Sequence, residues 1–271
     1  MITSTANTRI KDVEKLTKKA SYRRERGLFV VEGIRMFTEI PRDELAEVYV
    51  SEGFLSSCDA GARGLLEEIR RDRSIGYETV TDTVYAAMSD TKSPQGIMAV
   101  VRMRSYSPEQ LIAGCAESPL FLVLETIQDP GNLGTMFRSG EAAGVTAVIM
   151  DRGCADIYSP KVVRSTMGAV FRVPFIYTDD IRKTVKELRD AGVRTYAAHL
   201  KGKKSYDRTD LTGPAAFLIG NEAAGLTDET AALADEYVLI PMLGRVESLN
   251  AAVAASVLMF EAARQRRDIN G

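Results

Sequence analysis

From residue 120 onward the chain alternates between short apolar runs and segments with helical spacing. The runs are LFLVLE (120–125), TAVIM (146–150), VPFIY (173–177), TYAAHL (195–200), AAFLIG (215–220) and YVLI (237–240). Each is almost continuously apolar, as a strand buried on both faces must be. Between them lie Leu133, Met136, Phe137 and Gly140; residues 160–170; Ile181, Val185 and Leu188, stopped by Gly192; residues 227–234; and a long pattern from about 249 to 267. Strands that alternate with helices predict an α/β fold with a parallel sheet covered on both faces.

The pattern upstream is different. Ile10, Val13, Leu16 and Ala20 fall at helical spacing with basic residues on the remaining faces, which predicts one amphipathic helix over 10–22. FVVEG (29–33), VYV (48–50), YETVTDTVYAAMS (77–89) and GIMAVVRM (96–103) are strand candidates, so residues 1–103 read as a small mixed α/β domain. Residues 104–119 carry Ser105, Ser107, Pro108, Gly114, Ser118 and Pro119 around a lone LIA, the composition of a linker. The division is then 1–103, a linker at 104–119 and a second domain at 120–271, and a chain of 271 residues has room for both.

With 35 basic and 37 acidic residues, the overall charge gives no sign of a nucleic-acid partner. Its distribution does. Residues 9–26 hold eight basic residues against Asp12, Glu14 and Glu25, an excess able to attract phosphate, with Lys18, Lys19, Arg23 and Arg24 as candidate contacts. Cys58, Cys115 and Cys154 are odd in number and far apart, so neither a disulfide framework nor a Cys-x-x-Cys metal site is expected. No apolar run is long enough to span a bilayer and no signal-peptide pattern opens the chain. A cytoplasmic protein with no metal and no membrane partner is the expectation.

Three glycine-bearing stretches leave strand-like runs and enter helix-like ones: DPGNLGTMFRSGEAAG (129–144), LIGNEAAGL (218–226) and IPMLGRVESLNAAVAAS (240–256). Gathered at one sheet edge, they would form a site for a small ligand. Asn132 sits where an N-cap belongs, and Arg138 lies on its flank at i+6, placed to meet a phosphate or carboxylate. Spacing alone equally allows a structural cap beside a solvated arginine. Glu222, between Gly220 and Gly225, reads either as a site carboxylate or as part of an ordinary glycine-bearing turn in which Asn221 and Glu222 cap a helix. Ser248 or Asn250 starts the last helix, whose free N–H groups can meet a polar ligand. In YSPKVVRSTMGAVFRVP (158–174), Ser159 and Pro160 signal a helix start that puts Lys161 and Arg164 on one side, for RNA phosphate or simply for solvent. His199 is the only histidine and reads as structural, which disfavours triad or metal chemistry.

In order, spacing and wording the three stretches resemble the signature motifs of the SpoU family of RNA ribose 2′-O-methyltransferases, within the SPOUT superfamily. The segments Asn7 to Gly33 and SDTKSPQGIMAVV (89–101) resemble the SpoU-associated substrate-binding domain, whose fold is similar to L30-type RNA binders. The resemblance implies a C-terminal trefoil knot, which periodicity cannot reveal and which is rare. It implies S-adenosylmethionine as cofactor, with contacts at Leu218, Gly220, Ile240, Met242, Ser248 and Leu249. The absence of a G-x-G-x-x-G or P-loop pattern fits that ligand better than a dinucleotide or a nucleoside triphosphate. Asn132, Arg138, Glu222 and Asn250 match the family's functional polar positions. RNA, ribosomal rather than transfer, is the implied partner, and a homodimer through the C-terminal domain the implied assembly. The competing expectations are a non-catalytic RNA-binding or ribosome-associated protein with a decayed cofactor site, and a different α/β transferase or dinucleotide enzyme.

Overall fold

The computed structural model describes residues 1–113 and 118–270 and divides into two compact units, Met1–Arg104 with Asp156–Phe171, and Ser105–Ala155 with Arg172–Gly271. In the first unit α1 (Thr8–Lys18) is capped by Asn7, whose side chain accepts the Arg9 N–H at 2.9 Å. The single helix expected over 10–22 is in fact two. Lys19 turns extended (φ −122°, ψ 110°) before α2 (Ala20–Arg26) begins. The break brings Arg23 back beneath the end of α1, where its Nη1 donates to the carbonyls of Leu16 (2.6 Å) and Thr17 (3.1 Å), groups a helix terminus leaves orphaned.

Next come β1 (Leu28–Glu32), α3 (Ile34–Phe37), β2 (Leu45–Ser51), α4 (Glu52–Ser57), α5 (Ala60–Arg71), β3 (Gly76–Val80), α6 (Asp82–Met88) and β4 (Ile97–Arg102). The sheet order is β1-β4-β2-β3, antiparallel except for the β2/β3 pair. The stretch 77–89, expected as strand, divides at Thr81, whose hydroxyl accepts the Val84 N–H at 3.3 Å and starts α6. Ile10, Val13 and Leu16 of α1 pack with Val30, Tyr49 and Met98 of the sheet.

The second unit begins with α7 (Pro108–Ala113), β5 (Leu120–Leu124), α8 (Pro130–Ala142) and β6 (Ala147–Asp151). Residues 104–119 are therefore not a bare linker. Ser107 accepts the Gln110 N–H at 3.2 Å, α7 follows, and Leu111 is buried beside Phe121 and Val185; residues 114–117, including Cys115, lie outside the described residues. The helix α9 (Pro160–Thr166) belongs with the first unit, although the strand–helix alternation of the sequence places it in a 120–271 domain. The cause is a set of contacts inside that unit. Arg23 Nη2 holds Asp156 at 2.5 Å, Arg164 holds Asp90 at 3.0 Å, and the Tyr158 and Phe171 rings lie 4.5 and 6.1 Å from that of Phe29.

β7 (Phe175–Thr178), α10 (Ile181–Asp190), β8 (Arg194–Ala198), β9 (Lys204–Ser205), β10 (Ala215–Ile219), α11 (Asp228–Ala231), β11 (Glu236–Leu239) and α12 (Ala251–Asn270) complete the second unit. Its sheet, β7-β6-β5-β10-β8-β11-β9, is parallel throughout. Phe121, Val123, Ile149 and Leu218 point to the face covered by Val185 and Leu188 of α10. By strand alternation Leu122, Val148 and Phe217 point the other way, where α12 packs on α8 and β10. From β5 the chain builds outward through β6 to β7, and β10 lies on the opposite side. The strand order reverses between β5 and β10, where open α/β sheets hold their ligands.

Candidate functional site

β5 and β10 run side by side with Leu124 opposite Ile219, so the loops after them start from the same point of the sheet edge. Glu125 ends the first strand buried. Its carboxylate accepts the Thr227 N–H (2.8 Å), the Thr227 hydroxyl (2.9 Å) and the Thr230 hydroxyl (2.5 Å), which ties the end of β5 to the start of α11. Thr126 then adopts φ 57°, a region that a β-branched residue enters only under constraint. The constraint is Asp151, which accepts the Thr126 N–H and hydroxyl, each at 2.9 Å. So held, the Thr126 carbonyl accepts Asn221 Nδ2 at 2.8 Å and joins the loop after β5 to the loop after β10.

Asp129, not Asn132, caps α8. Its Oδ1 accepts the Asn132 N–H at 2.8 Å and Pro130 follows at the first helical position. With capping done upstream, the Asn132 side chain is available to the site, where Nδ2 donates to Glu222 at 3.0 Å and Oδ1 accepts Asn250 Nδ2 at 2.9 Å. Asn250 is the cap of α12, its own oxygen accepting the N–H groups of Ala252 (2.9 Å) and Val253 (3.2 Å).

Glu222 stands in a tight turn, not at a helix start. Asn221 and Gly225 exchange two backbone hydrogen bonds, and a Cβ on Gly220 would lie 2.0 Å from the Leu226 nitrogen, so only glycine fits there. The Glu222 carboxylate accepts the N–H groups of Asp129 (3.0 Å) and Gln128 (3.3 Å) as well as the Asn132 amide. Partial burial pushes its pKa up, but these donors together outweigh that and hold it below the usual glutamate value. Asn132, Glu222 and Asn250 thus form one hydrogen-bonded chain across all three glycine-bearing stretches. Arg138 does not join them. It is exposed on α8, about 9 Å of helix rise beyond Asn132, and makes no hydrogen bond or ion pair among the described residues.

Beside this chain a cavity of about 280 Å³ opens at the sheet edge, lined by Gly220, Ile240, Met242, Ser248 and Leu249 among others. Leu218, expected with them, lies one residue below, its side chain packed in the core. Ile219, Leu226, Val238 and Leu239 make the walls apolar, and the turn 220–225 presents main chain at the rim. Such a surface suits a flat heterocycle with polar edges. His199, read from sequence as structural, lines this cavity together with Leu200.

The candidate RNA contacts divide. Lys18, Lys19 and Arg24 are exposed, Lys18 with Glu14 at 3.7 Å. Arg23 is only 4% exposed and its guanidinium is committed to Asp156, Leu16 and Thr17, so it has nothing to offer a phosphate. Arg164 is paired with Asp90. Sequence reasoning missed Glu125, Thr126, Asp151 and the role of Asn221. Only the charge closing the run LFLVLE hinted at the first. The Cys154 thiol accepts the Ile127 N–H at 3.3 Å and burial pushes its pKa up to about 12, so it is no nucleophile. Among the described residues no cluster of His, Cys, Asp or Glu could hold a metal, and no helix is long and apolar enough to cross a membrane.

The SpoU rRNA Methylase family model matches residues 119–260, and an MRM3-like substrate binding domain model matches residues 7–99. The chain is 30% identical over 261 residues to the 23S rRNA (guanosine(2553)-2'-O)-methyltransferase RlmP of Bacillus subtilis, covering 96% of this chain and 97% of that one. To the 23S rRNA (guanosine-2'-O-)-methyltransferase RlmB of Xylella fastidiosa it is 36% identical over 205 residues, 74% of this chain and 82% of the relative. Among solved structures, the AdoMet-bound rRNA methyltransferase from Sinorhizobium meliloti superposes with TM-score 0.83 at 30% identity, covering 97% of each chain. The SpoU methyltransferase AviRb from Streptomyces viridochromogenes in complex with AdoMet gives 0.84 at 29% identity, covering 96% and 98%.

Proposed function

The chain belongs to the SpoU rRNA methylase family, and from that premise we propose that it methylates a ribose 2′-hydroxyl of RNA with S-adenosylmethionine as donor. The observation that carries this reading is the hydrogen-bonded chain Glu222–Asn132–Asn250 beside an apolar cavity at the reversal point of the sheet. Gly220, Ile240, Met242, Ser248 and Leu249 would hold the cofactor, which supplies an activated methyl group when bound.

The protein's own work is alignment and charge. Glu222, kept ionised by its donors, fixes the Asn132 amide, and Asn132 fixes Asn250. A ribose hydroxyl is a poor nucleophile at neutral pH, so orienting it and favouring loss of its proton is the barrier to be lowered. Arg138, uncommitted on α8, is assigned to clamp the RNA phosphate beside the target ribose and to stabilise the oxyanion as it develops. A guanidinium keeps its proton in proteins, so we assign it this electrostatic role and not that of base.

Residues 1–103 choose the RNA, with Lys18, Lys19 and Arg24 as phosphate contacts and Arg164 as a further one once released from Asp90. RlmP and RlmB are named for guanosine in 23S rRNA, and that substrate class is carried over here, in the cytoplasm. The working form is a homodimer through the second unit. Val253 and Phe260 stand exposed at 47% and 49% two turns apart on α12, and Leu243 and Val246 are open on the preceding loop. The test is to map 2′-O-methyl groups in ribosomal RNA from cells with and without the gene, and to restore the missing one in vitro with purified protein and cofactor. Identical maps and no transfer would refute the reading.

A further inference from the structure

The polar side chains that line the cavity are unevenly committed. Asn221 and Glu222 spend theirs on holding loops together. His199 does not. It follows β8 directly, and its N–H donates to the Val238 carbonyl at 3.1 Å while its carbonyl accepts the Gly202 N–H at 3.0 Å. The turn 199–202 is pressed on β11, because a Cβ on Gly202 would come within 3.0 Å of the Leu239 nitrogen and the Val238 carbonyl carbon. Nδ1 of His199 accepts the Lys201 N–H at 3.1 Å, and the ring lies 5.0 Å from that of Tyr237, tilted by 30°. The imidazole is therefore fixed on both sides.

An Nδ1 that accepts a hydrogen bond carries no proton, so the neutral ring bears its proton on Nε2. That N–H has no partner among the described residues, and it is not a buried atom. It is a fixed donor on a wall that is otherwise mostly apolar, and binding a ligand there without satisfying it would cost its hydration.

We propose that His199 is a specificity residue of this cavity, its Nε2–H donating to an acceptor on the nucleoside half of the cofactor. The inference rests on the methyltransferase reading and goes beyond it by placing one half of the ligand. The strands beside β8 are β10 and β11, and their ends contribute Ile219, Val238 and Ile240 to the wall. That apolar surface accepts a purine and would strip water from a charged amino-acid tail at a cost.

Calorimetric titration of the whole protein with S-adenosylhomocysteine and with 5′-methylthioadenosine, which lacks the amino-acid tail, tests this. His199→Phe keeps the packing on Tyr237 and removes the donor; His199→Gln restores an N–H at the same reach. One neutral hydrogen bond of about 0.5–1.5 kcal/mol corresponds to a two- to tenfold change in affinity. His199→Phe should weaken both ligands by the same factor within that range, and His199→Gln should recover most of it. Unchanged affinity in His199→Phe overturns the proposal, as does a loss confined to S-adenosylhomocysteine or a glutamine variant as weak as phenylalanine. A wild-type protein that binds neither ligand overturns the methyltransferase reading itself, a distinct result.

Discussion

Replacing Glu222 by alanine removes a group that touches both the loop after β5 and the start of α8. Three donors lose their acceptor, the Asp129 N–H and Asn132 amide at 3.0 Å and more weakly the Gln128 N–H at 3.3 Å, while the Asn221 amide, 3.4 Å from Glu222, keeps the Thr126 carbonyl at 2.8 Å. Hydrogen bonds to a charged group contribute about 1.5–3 kcal/mol when shielded, but Glu222 is largely open to solvent and water replaces much of each. Two strong contacts then amount to about 1–2 kcal/mol, or a fall in Tm of roughly 2–8 °C for a unit of this size. Turnover should fall further than stability, because Asn132 loses the anchor that aims it at Asn250. The pH dependence separates charge from shape. A carboxyl held below its usual value stabilises the fold fully above about pH 4.3 and loses that contribution as pH falls through the lowered value. The gap in Tm between wild type and Glu222→Gln, followed by circular dichroism, should therefore be constant from about pH 8 to about pH 5 and close as the pH falls through the lowered value. A gap that is absent at neutral pH, or that persists unchanged in acid, would refute the argument.

Arg138→Ala should lower turnover by about a hundredfold or more, the scale for losing one preorganised electrostatic group, with cofactor affinity unchanged in calorimetry because Arg138 touches none of the cavity residues' hydrogen bonds. Replacing Lys18, Lys19 and Arg24 together should flatten the log–log salt dependence of RNA affinity by about 0.7 to 0.9 per lost contact, with Tm unmoved since all three are exposed. Arg23→Ala should do the reverse, destabilising the first unit by about 3 kcal/mol through an unpaired Asp156 and two orphaned carbonyls, while the salt slope stays as in wild type. Phe260→Glu should drive sedimentation at micromolar concentration to the monomer, and a wild-type protein that is already monomeric and fully active would remove the dimer from the account.

What could be read from sequence follows from the range of the interaction involved. The apolar runs of the second unit became strands within a few residues of their expected bounds, since burial on both faces leaves a signal in every position of a run such as Leu120–Leu124. Glycines and turn residues mark the loops that carry Asn132, Glu222 and Asn250, and the resemblance to the SpoU motifs singles those three out, yet their meeting depends on β5 and β10 being neighbours, a property of topology that no local spacing records. The differences have two causes. One is local: Asp129 and Asn132, three residues apart, are equally eligible as caps, and the position of Pro130 decides between them. The other is distance along the chain. Arg23 reads as an RNA contact because a buried arginine looks like any other until its partner is known, and Asp156 lies 133 residues away. Thr126 gave no signal, since a threonine with positive φ owes that conformation to Asp151, on another strand. The strain at Thr126 is what turns its carbonyl toward Asn221. The register between the two loops that carry the polar chain is thus set by a carboxylate that itself belongs to neither.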